Sequence, residues 1–419
     1  MKKSLFKSKI KIDKSRQNEV REEAKEKIRK KSSFINRAIQ IALAVVIILS
    51  LVLISLRTFA NMSLRDVSKK VTYAIDNMGS GEGYPYRMQS NRLLGTENVD
   101  GNLAVVLDKK LVYLDSTAKE KFVFENNFTN PHLVSCGKYA VFYDIDTTDG
   151  IVTDGGKIIY SKEQVQKNLG ERILTADISN NRSMAFATWC KDGASKISVF
   201  DSDFSKKFHY IFSSDRVYAI AISDNGKYVS AVSLNSENSV AVSKIYCFDI
   251  SQEKPTAQRK INSNVVKAEY INNGELAVLT TESSFVMDCE TGEISEEKDF
   301  SSTQLIGGDF DNDSKKRVVA VSDFGGKKCT VTAFRKSGSE KFSADASFVR
   351  KITYDGNFTA LLTGNSIICL NSRGRVKCEM TLPCNVDDIK LISKRLYIFS
   401  GENIRSVRVS GFAEFPADE

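Results

Sequence analysis

The chain has 419 residues, of which 42% are hydrophobic and 27% charged, and 60 Lys+Arg against 52 Asp+Glu give it a formal net charge of +8. This composition excludes wholesale disorder and collagen-like structure, and the length suits two or three ordinary domains or one large repeat domain. Residues 1–37 hold 14 Lys+Arg and five acids, a net charge of +9, so the remainder of the chain is net −1. Nucleic-acid binding by the folded part is therefore not expected.

The first predicted element is a basic tail over residues 1–37. Its second half is rich in helix formers and carries Glu-to-Lys pairs at a spacing of four, such as Glu23 and Lys27. A segment of this length is too short to form a domain of its own. We expect the tail to lie on anionic lipid in the cytoplasm, and docking to a cytoplasmic partner is the alternative.

The second predicted element is a transmembrane helix over residues 38–56, a stretch without a single charged residue. As a helix it spans roughly 28 Å, close to the thickness of a bilayer's hydrocarbon core. Seven Lys/Arg lie in the 20 residues before it and four in the 20 after it. The positive-inside rule therefore predicts an uncleaved signal-anchor in the cell membrane, with the N-terminus in the cytoplasm and the rest outside.

Residues 57–83 are predicted to connect this helix to the folded domain. A short juxtamembrane helix is expected at residues 64–78, and the glycine-rich segment Gly79-Ser-Gly-Glu-Gly83 is expected to be a flexible linker.

A repeat dominates the domain predicted at residues 84–419. Each copy has a turn of Asp, Asn, Gly and Lys followed by a strand, as in Asp100-Gly-Asn-Leu-Ala-Val-Val-Leu and Asp224-Asn-Gly-Lys-Tyr-Val-Ser-Ala-Val. Eight copies follow one another at intervals of 36 to 48 residues. A period near 40 with several strands per unit predicts an all-β fold, an eight-bladed β-propeller; seven blades and an incomplete unit are the alternative.

The last repeat has only three good strand segments, at residues 387–391, 396–399 and 404–409. An unpaired edge would promote aggregation, so a missing strand must come from elsewhere in the chain. We expect residues 84–90, which precede the first repeat, to supply the outer strand of the last blade.

These repeats resemble those of the WD-repeat and PQQ-like β-propeller superfamilies over about residues 84–419. More narrowly, the chain is similar to an uncharacterised family of single-span, surface-exposed propellers from Gram-positive bacteria. It has no Gly-His…Trp-Asp pair, and its one tryptophan, Trp189, cannot supply the recurring tryptophan of PQQ-like blades. The resemblance therefore implies a propeller without a quinone cofactor.

One acidic segment is a candidate calcium site. Asp309, Asp311 and Asp313 alternate, so their carboxylates could converge on one hard cation. The context resembles the calcium loops of integrin-type propellers, but Ser314 and Arg317 stand where that pattern has a glycine and a further acid. The alternative is an acidic hairpin turn whose side chains bond to their own backbone. No other cofactor is expected.

Eight cysteines are predicted to lie outside the membrane. Cys369 and Cys378 flank the turn Ser372-Arg-Gly-Arg375 and are expected to face each other across a hairpin. They are the candidates for a disulfide, although free buried thiols remain open because bonding requires a specific geometry.

Catalytic residues are not evident in the sequence. The two histidines, His132 and His209, have no Cys, Asp or Glu at metal-ligand spacing, and no nucleophile elbow is present. We therefore expect a binding or scaffold module for an envelope protein, peptide or glycan. The alternatives are a transmembrane signal relay through the tail and a hydrolase with acids at the mouth of the propeller.

Overall fold

The computed structural model describes residues 83–89, 92–237 and 240–409. The predicted basic tail, transmembrane helix and juxtamembrane helix lie outside the described residues. Within the described ranges, no helix is long and apolar enough to cross a membrane.

Thirty-two strands form eight antiparallel sheets of four strands each, which confirms the eight-bladed propeller. The first strand of each blade lies next to the first strands of neighbouring blades, around the axis of the ring. In chain order these inner strands are β2 (Leu93–Val99), β6 (Pro131–Cys136), β10 (Ile173–Ile178), β14 (Arg216–Ile222), β18 (Val265–Tyr270), β22 (Gln304–Asp311), β26 (Lys351–Tyr354) and β30 (Asp388–Ile392).

Three further strands complete each blade from the axis outward. The second strands are β3 (Asn102–Leu107), β7 (Tyr139–Asp144), β11 (Met184–Thr188), β15 (Tyr228–Glu237), β19 (Glu275–Thr280), β23 (Lys316–Ser322), β27 (Thr359–Leu362) and β31 (Arg395–Ser400). The third strands are β4 (Lys110–Leu114), β8 (Gly150–Asp154), β12 (Ser195–Phe200), β16 (Val240–Asp249), β20 (Ser283–Asp288), β24 (Lys328–Phe334), β28 (Ser366–Leu370) and β32 (Asn403–Arg408). The outer strands are β5 (Glu120–Glu125), β9 (Lys157–Tyr160), β13 (Lys206–Phe212), β17 (Ala257–Ile261), β21 (Ile294–Asp299), β25 (Glu340–Ser347), β29 (Val376–Thr381) and, for the eighth blade, β1 (Tyr86–Arg87).

The burial of the strands explains their composition. Second and third strands pack against a neighbouring blade on both faces, so they are continuous apolar runs, such as Leu-Ala-Val-Val-Leu in β3, with almost every residue buried. Outer strands pack less completely against neighbouring blades and are therefore more polar. For example, β21 is almost entirely exposed and is rich in Glu and Lys. Such charges protect the rim of each blade from pairing with other chains.

The N-terminal strand closes the ring as the sequence predicts. β1 pairs with the third strand of the eighth blade, with Tyr86 opposite Ile404 and Arg87 opposite Asn403. The amide of the buried Met88 donates to the carbonyl of Glu402 at 2.8 Å. The last blade thus combines strands from both ends of the propeller, and the alternative of seven blades is wrong.

One helix, α1 (Lys162–Leu169), was not expected in the propeller. It lies between the second and third blades and buries Val165 and Leu169, which share a face at a spacing of four. The amide of Ser161 donates to the side chain of Gln164 at 2.8 Å, and Gly170 ends the helix with a positive φ of 65°. These capping signals are short, and the strand pattern that dominates the surrounding sequence made them hard to recognise.

Five inner strands carry a β-bulge near their beginning. Each pairing skips one residue, and that residue is always apolar: Leu94, Leu174, Tyr218, Val266 and Ile306. A bulge re-aims the local side chain and is common at the rims of closed sheets. The bulges lie at the end of the ring where inner strands begin, which we call the upper face; the opposite end is the lower face.

Candidate functional site

Charged side chains of the inner strands meet at the axis. Glu97, in the first blade, interacts electrostatically with Lys390, Lys267 and Asp309. Lys267 belongs to the fifth blade, which is opposite the first in a ring of eight, so this interaction crosses the axis. Burial raises the pKa of the Glu97 carboxyl, whereas the two lysines oppose that rise.

Two salt bridges fix this axial cluster. The ammonium of Lys267 lies 2.9 Å from the carboxylate of Glu269, and that of Lys390 lies 3.7 Å from Asp309. Burial alone would raise the pKa of Asp309, but Lys390 and Lys267 outweigh it and the pKa is lowered. These charges compensate one another and join the fifth, sixth and eighth blades at the centre of the ring.

Hydrogen bonds from the same carboxylate link adjacent blades. Asp309 accepts a hydrogen bond from the hydroxyl of Thr353 at 3.1 Å and from the amide of Tyr354 at 2.9 Å. The hydroxyl of Thr353 in turn accepts from the amide of Leu391 at 3.0 Å. Asp177 links the third and fourth blades in the same way: its carboxylate accepts a hydrogen bond from the amide of Ile222 at 2.9 Å. The axial carboxylates therefore act as connectors between inner strands.

The lower end of the axis is closed by the turn between β22 and β23. The side-chain amide of Asn312 donates to the carbonyl of Ser135, in the opposite blade, at 2.8 Å. Lys315, from the same turn, forms a salt bridge with Asp224 at 3.1 Å, and Asn180 also donates to Asp224 at 3.0 Å. Turns of the second, third, fourth and sixth blades thus converge on the axis.

Of the three predicted calcium residues, Asp309 and Asp311 are on β22 and Asp313 is on the closing turn. Asp309 is one of the interblade connectors, Asp311 accepts from the amide of Ser314 at 3.0 Å, and Asp313 is exposed. Among residues 83–89, 92–237 and 240–409, no group of three or more His, Cys, Asp or Glu could hold a metal ion. The structure therefore does not bring the three carboxylates together as one cluster. Arg317 points elsewhere, into the interface of the fifth and sixth blades.

A polar cavity of about 370 Å³ lies between β2 and β6, beside the axial cluster. Arg92 and His132 line it, together with Asn130 and, at its axial side, Glu97. Burial lowers the pKa of His132, although the carboxylate of Asp144 opposes the change. The lining offers a guanidinium, an amide and an imidazole, groups that bind small polar molecules.

Trp189 forms a second cluster at the upper face, between the third and fourth blades. The guanidinium of Arg216 lies 3.7 Å from the centre of the indole ring, and that of Arg172 lies 5.3 Å from it. The indole N–H donates to the carboxylate of Asp146 at 2.7 Å. Three blades thus contribute to one half-buried aromatic ring with two cations over it, an arrangement we call the Trp189 clamp.

Exposed apolar side chains are concentrated on the same face. Ten large apolar side chains among the described residues are at least 36% exposed, and six of them belong to the upper face. These six are Leu94, Tyr218, Leu234, Val266, Phe324 and Phe348. The remaining four are all on outer strands: Val123, Ile158, Ile211 and Val376. Two of the six, Tyr218 and Leu234, are in the fourth blade together with Arg216, and exposed apolar side chains beside polar ones are typical of an interaction surface.

The cysteines adopt the predicted arrangement at one place and an unpredicted one at another. Cys369 and Cys378 are directly opposite each other in β28 and β29, as expected, and both are thiols in this structure. Cys247 and Cys289, from the fourth and fifth blades, lie with their sulfur atoms 3.1 Å apart in the core. The sequence did not indicate this second pair, because its members are on different blades.

The two histidines are on different blades. His209 is on the exposed side of the outer strand β13, and His132 is the second residue of β6. Sequence reasoning missed the Trp189 clamp altogether. Its only signal was the arginine at the beginning of each of two successive inner segments, Arg172 and Arg216, on either side of the single tryptophan.

The sequence matches the family of unknown function DUF5711 over residues 84–409, which is the whole described propeller. The chain belongs to this family. No curated protein sequence matches it.

Several solved structures share the fold of this DUF5711 protein. A eukaryotic initiation factor aligns with a TM-score of 0.54 and 12% identity, covering 82% of this chain and 91% of that one. The C-terminal WD40 domain of Sif2 aligns with a TM-score of 0.52 and 9% identity, covering 79% and 99%. Sqt1 of Saccharomyces cerevisiae aligns with a TM-score of 0.51 and 11% identity, covering 78% and 100%. Identities this low show the fold alone.

Proposed function

We propose that this protein is a membrane-anchored binding module that presents the upper face of its propeller to a partner in the cell envelope. The β-propeller is typically a protein-binding or scaffold fold, but fold alone does not identify a site. The observation that carries the proposal is the Trp189 clamp, whose Arg216 is in the same blade as the exposed Tyr218 and Leu234. Tryptophan and arginine are the residues most enriched at the energetic centres of protein interfaces.

The position of the module comes from the sequence. Residues 38–56 anchor the chain in the lipid bilayer, residues 1–37 lie on anionic lipid in the cytoplasm, and the propeller is outside the cell. The nearly neutral charge of residues 38–419 fits a surface that contacts an envelope protein better than one that contacts nucleic acid. The signal relay through the tail and the hydrolase stay predictions.

Photo-crosslinking in living cells tests this proposal. A photoreactive amino acid replaces Leu234, which is 48% exposed beside the clamp, or Ile158, which is 44% exposed on an outer strand and is the matched control. The full chain with the Leu234 probe should give a discrete adduct that Arg216→Gln reduces at least several-fold. Equal adducts at both positions, or none at the upper face, would overturn the proposal.

A further inference from the structure

We propose that the Trp189 clamp binds an extended, acidic segment of the partner protein, which adds as a strand to the open edge of β15. This inference rests on the proposed function, because it names the chemistry of the partner at the same surface. It depends on three features of the described residues: two arginines without acidic partners, an unpaired strand edge beside them, and apolar side chains next to that edge.

The two arginines of the clamp are oriented but not neutralised. Neither Arg172 nor Arg216 forms a salt bridge with a described residue, and both are exposed. Stacking on an aromatic ring uses the flat face of a guanidinium and leaves its N–H groups, which lie in the plane, free to donate. A carboxylate can accept two of these hydrogen bonds at once, and such bidentate pairs are among the stronger polar contacts in proteins.

The carboxylate bonded to the clamp and the two that adjoin its arginines in the chain are already engaged. Asp146 accepts from the Trp189 indole, and Glu171 forms a salt bridge with Lys196 at 2.5 Å. Asp215 accepts from the hydroxyl of Tyr246 at 2.8 Å and lies 3.3 Å from the ammonium of Lys244. The positive charge of the two arginines is therefore available to an external anion.

A strand edge opens directly beside Arg216. The first residue of β14, Arg216, is opposite Leu234 of β15, and the pairing of these two strands ends there. β15 continues to Glu237 and stays paired with β16 on its other side. No described strand pairs with the last three residues of β15 on the side of β14. An extended peptide can add to such an edge through its backbone and extend the sheet of the fourth blade.

The geometry of strand addition accounts for both kinds of side chain at this surface. Arg216 and Leu234 are directly opposite each other in the antiparallel pair, so a strand added beside β15 would lie next to both the guanidinium and the apolar surface. Leu234 and Tyr218, which are 48% and 36% exposed, supply that apolar surface. An anionic polymer of glycerol phosphate would use the arginines but neither the edge nor the apolar side chains, so the structure favours a peptide.

Trp189 is the only tryptophan of the chain, so its fluorescence reports on this site alone. The full chain in detergent micelles is titrated with a capped hexapeptide of alternating Asp and Val. Its emission should change with a dissociation constant below about 1 mM, within the range of weak short-peptide binding. Raising the salt concentration should weaken binding, because the arginines are exposed. A hexapeptide with Asn in place of Asp should bind at least about tenfold more weakly.

Variants assign the effect to the clamp. Arg216→Gln should weaken binding of the acidic peptide about tenfold, and Arg216→Lys should also weaken it because an ammonium cannot pair in bidentate fashion. Lys206→Gln is the matched control: Lys206 lies over the ring of Phe200 in the same blade as Trp189, on an outer strand. It should leave binding unchanged, and an unchanged thermal unfolding temperature would show that each variant folds.

Three results would overturn the inference. The first is equal binding of the Asp and Asn peptides, which would exclude recognition of carboxylates. The second is tighter binding of a glycerol phosphate oligomer, which would identify an anionic polymer. The third is a Trp189 emission that stays unchanged at peptide concentrations up to about 5 mM. Any of these, together with a discrete crosslink at position 234, would leave the proposed function standing and reject only the acidic strand.

Discussion

The side chain of Asn312 reaches across the propeller axis and donates a hydrogen bond to the carbonyl of Ser135, 177 residues earlier in the chain, at 2.8 Å. The two residues belong to opposite blades, so one amide ties the sixth blade to the second. The acidic turn that resembles a calcium loop is therefore the segment that closes the lower end of the axis.

Replacing Asn312 should loosen the whole ring. Asn312→Ala should lower the free energy of unfolding by about 1 kcal/mol, the usual net contribution of one intramolecular hydrogen bond. Asn312→Asp should cost more, because it places a carboxylate against a carbonyl oxygen. Urea denaturation of the full chain measures both, and Asn357→Ala, in the exposed turn of the seventh blade, is the matched control. Equal midpoints for Asn312→Ala and Asn357→Ala would contradict this role.

Arg317 is a buried cation whose loss should be tolerated. It is 1% exposed, its Nε donates to the hydroxyl of Ser284 at 3.0 Å, and its two terminal nitrogens have no hydrogen-bond partner among the described residues. Burial lowers its pKa to about 10. An unpaired buried charge is costly, and an apolar side chain of similar shape removes that cost.

Arg317→Met should therefore raise the free energy of unfolding by about 1 kcal/mol or leave it unchanged. Arg317→Ala should lower it by about 2 kcal/mol, because it leaves a cavity beside Phe334. Thermal unfolding distinguishes these outcomes. If Met proves as destabilising as Ala, the guanidinium has a stabilising role that its contacts do not reveal.

Asp177 should make stability depend on pH. Burial raises the pKa of its carboxyl to about 7, although the amides of Ile222 and Ile178 donate to it and oppose the rise. The unfolded chain releases this proton near pH 4. Between about pH 4 and 7 the native state thus holds a proton that the unfolded state has lost, so stability falls as the pH rises through this interval.

Asp177→Asn should remove this part of the slope, while its carbonyl oxygen still accepts from the Ile222 amide. Urea denaturation of both proteins at intervals from pH 4.5 to 8 measures their free energies of unfolding. As the pH rises to about 7, the free energy of unfolding of the natural protein should fall relative to that of the variant. Parallel curves would mean that Asp177 has the same pKa in the native and unfolded states.

The two cysteine pairs should differ in reactivity. Cys378 is half-buried, and the hydrogen bond from Cys369 lowers the pKa of its thiol. Cys247 and Cys289 are both fully enclosed. Diamide, which takes up two electrons and two protons as two thiols form a disulfide, should therefore link Cys369 to Cys378 first. Mass spectrometry should show this link with a loss of two hydrogens, and Cys378→Ser should abolish it.

Free alkylation of both Cys369 and Cys378 after diamide treatment would reject the predicted bridge. It would show that the two strands hold the sulfur atoms in a geometry unsuited to bonding. A link between Cys247 and Cys289 forming first would contradict the argument from access.

The predictable parts of this structure are those that depend on local patterns in the sequence. The blade count follows from the repeat of turn and apolar strand, and the role of residues 84–90 follows from the strand missing at residues 387–409. Helix α1 had its own signals in Ser161, Gln164 and Gly170, but they are short beside the surrounding strand pattern.

The site depends on distances that the repeat does not encode. Asn312 meets Ser135 only because the ring closes at eight blades, and Trp189 meets Arg216 only because successive inner strands lie side by side. The acidic turn illustrates the difficulty, since the alternation of Asp309, Asp311 and Asp313 is compatible with a cation site until the neighbouring blade is placed. Contacts between blades therefore had to come from the structure.

Two natural cysteines allow the most direct measurement of the central claim, that the upper face binds a partner outside the cell. Cys190 follows Trp189 in the clamp, and the exposed Cys384 is on the upper face of the opposite side of the ring, between β29 and β30. Intact cells and the purified full chain are treated with a membrane-impermeant maleimide, and labelling at each cysteine is followed by mass spectrometry. Cys384 should react in intact cells, and Cys190 should react several-fold more slowly there than in the purified chain. Unlabelled Cys384 in intact cells, or the same ratio of the two rates in cells and in the purified chain, would contradict it.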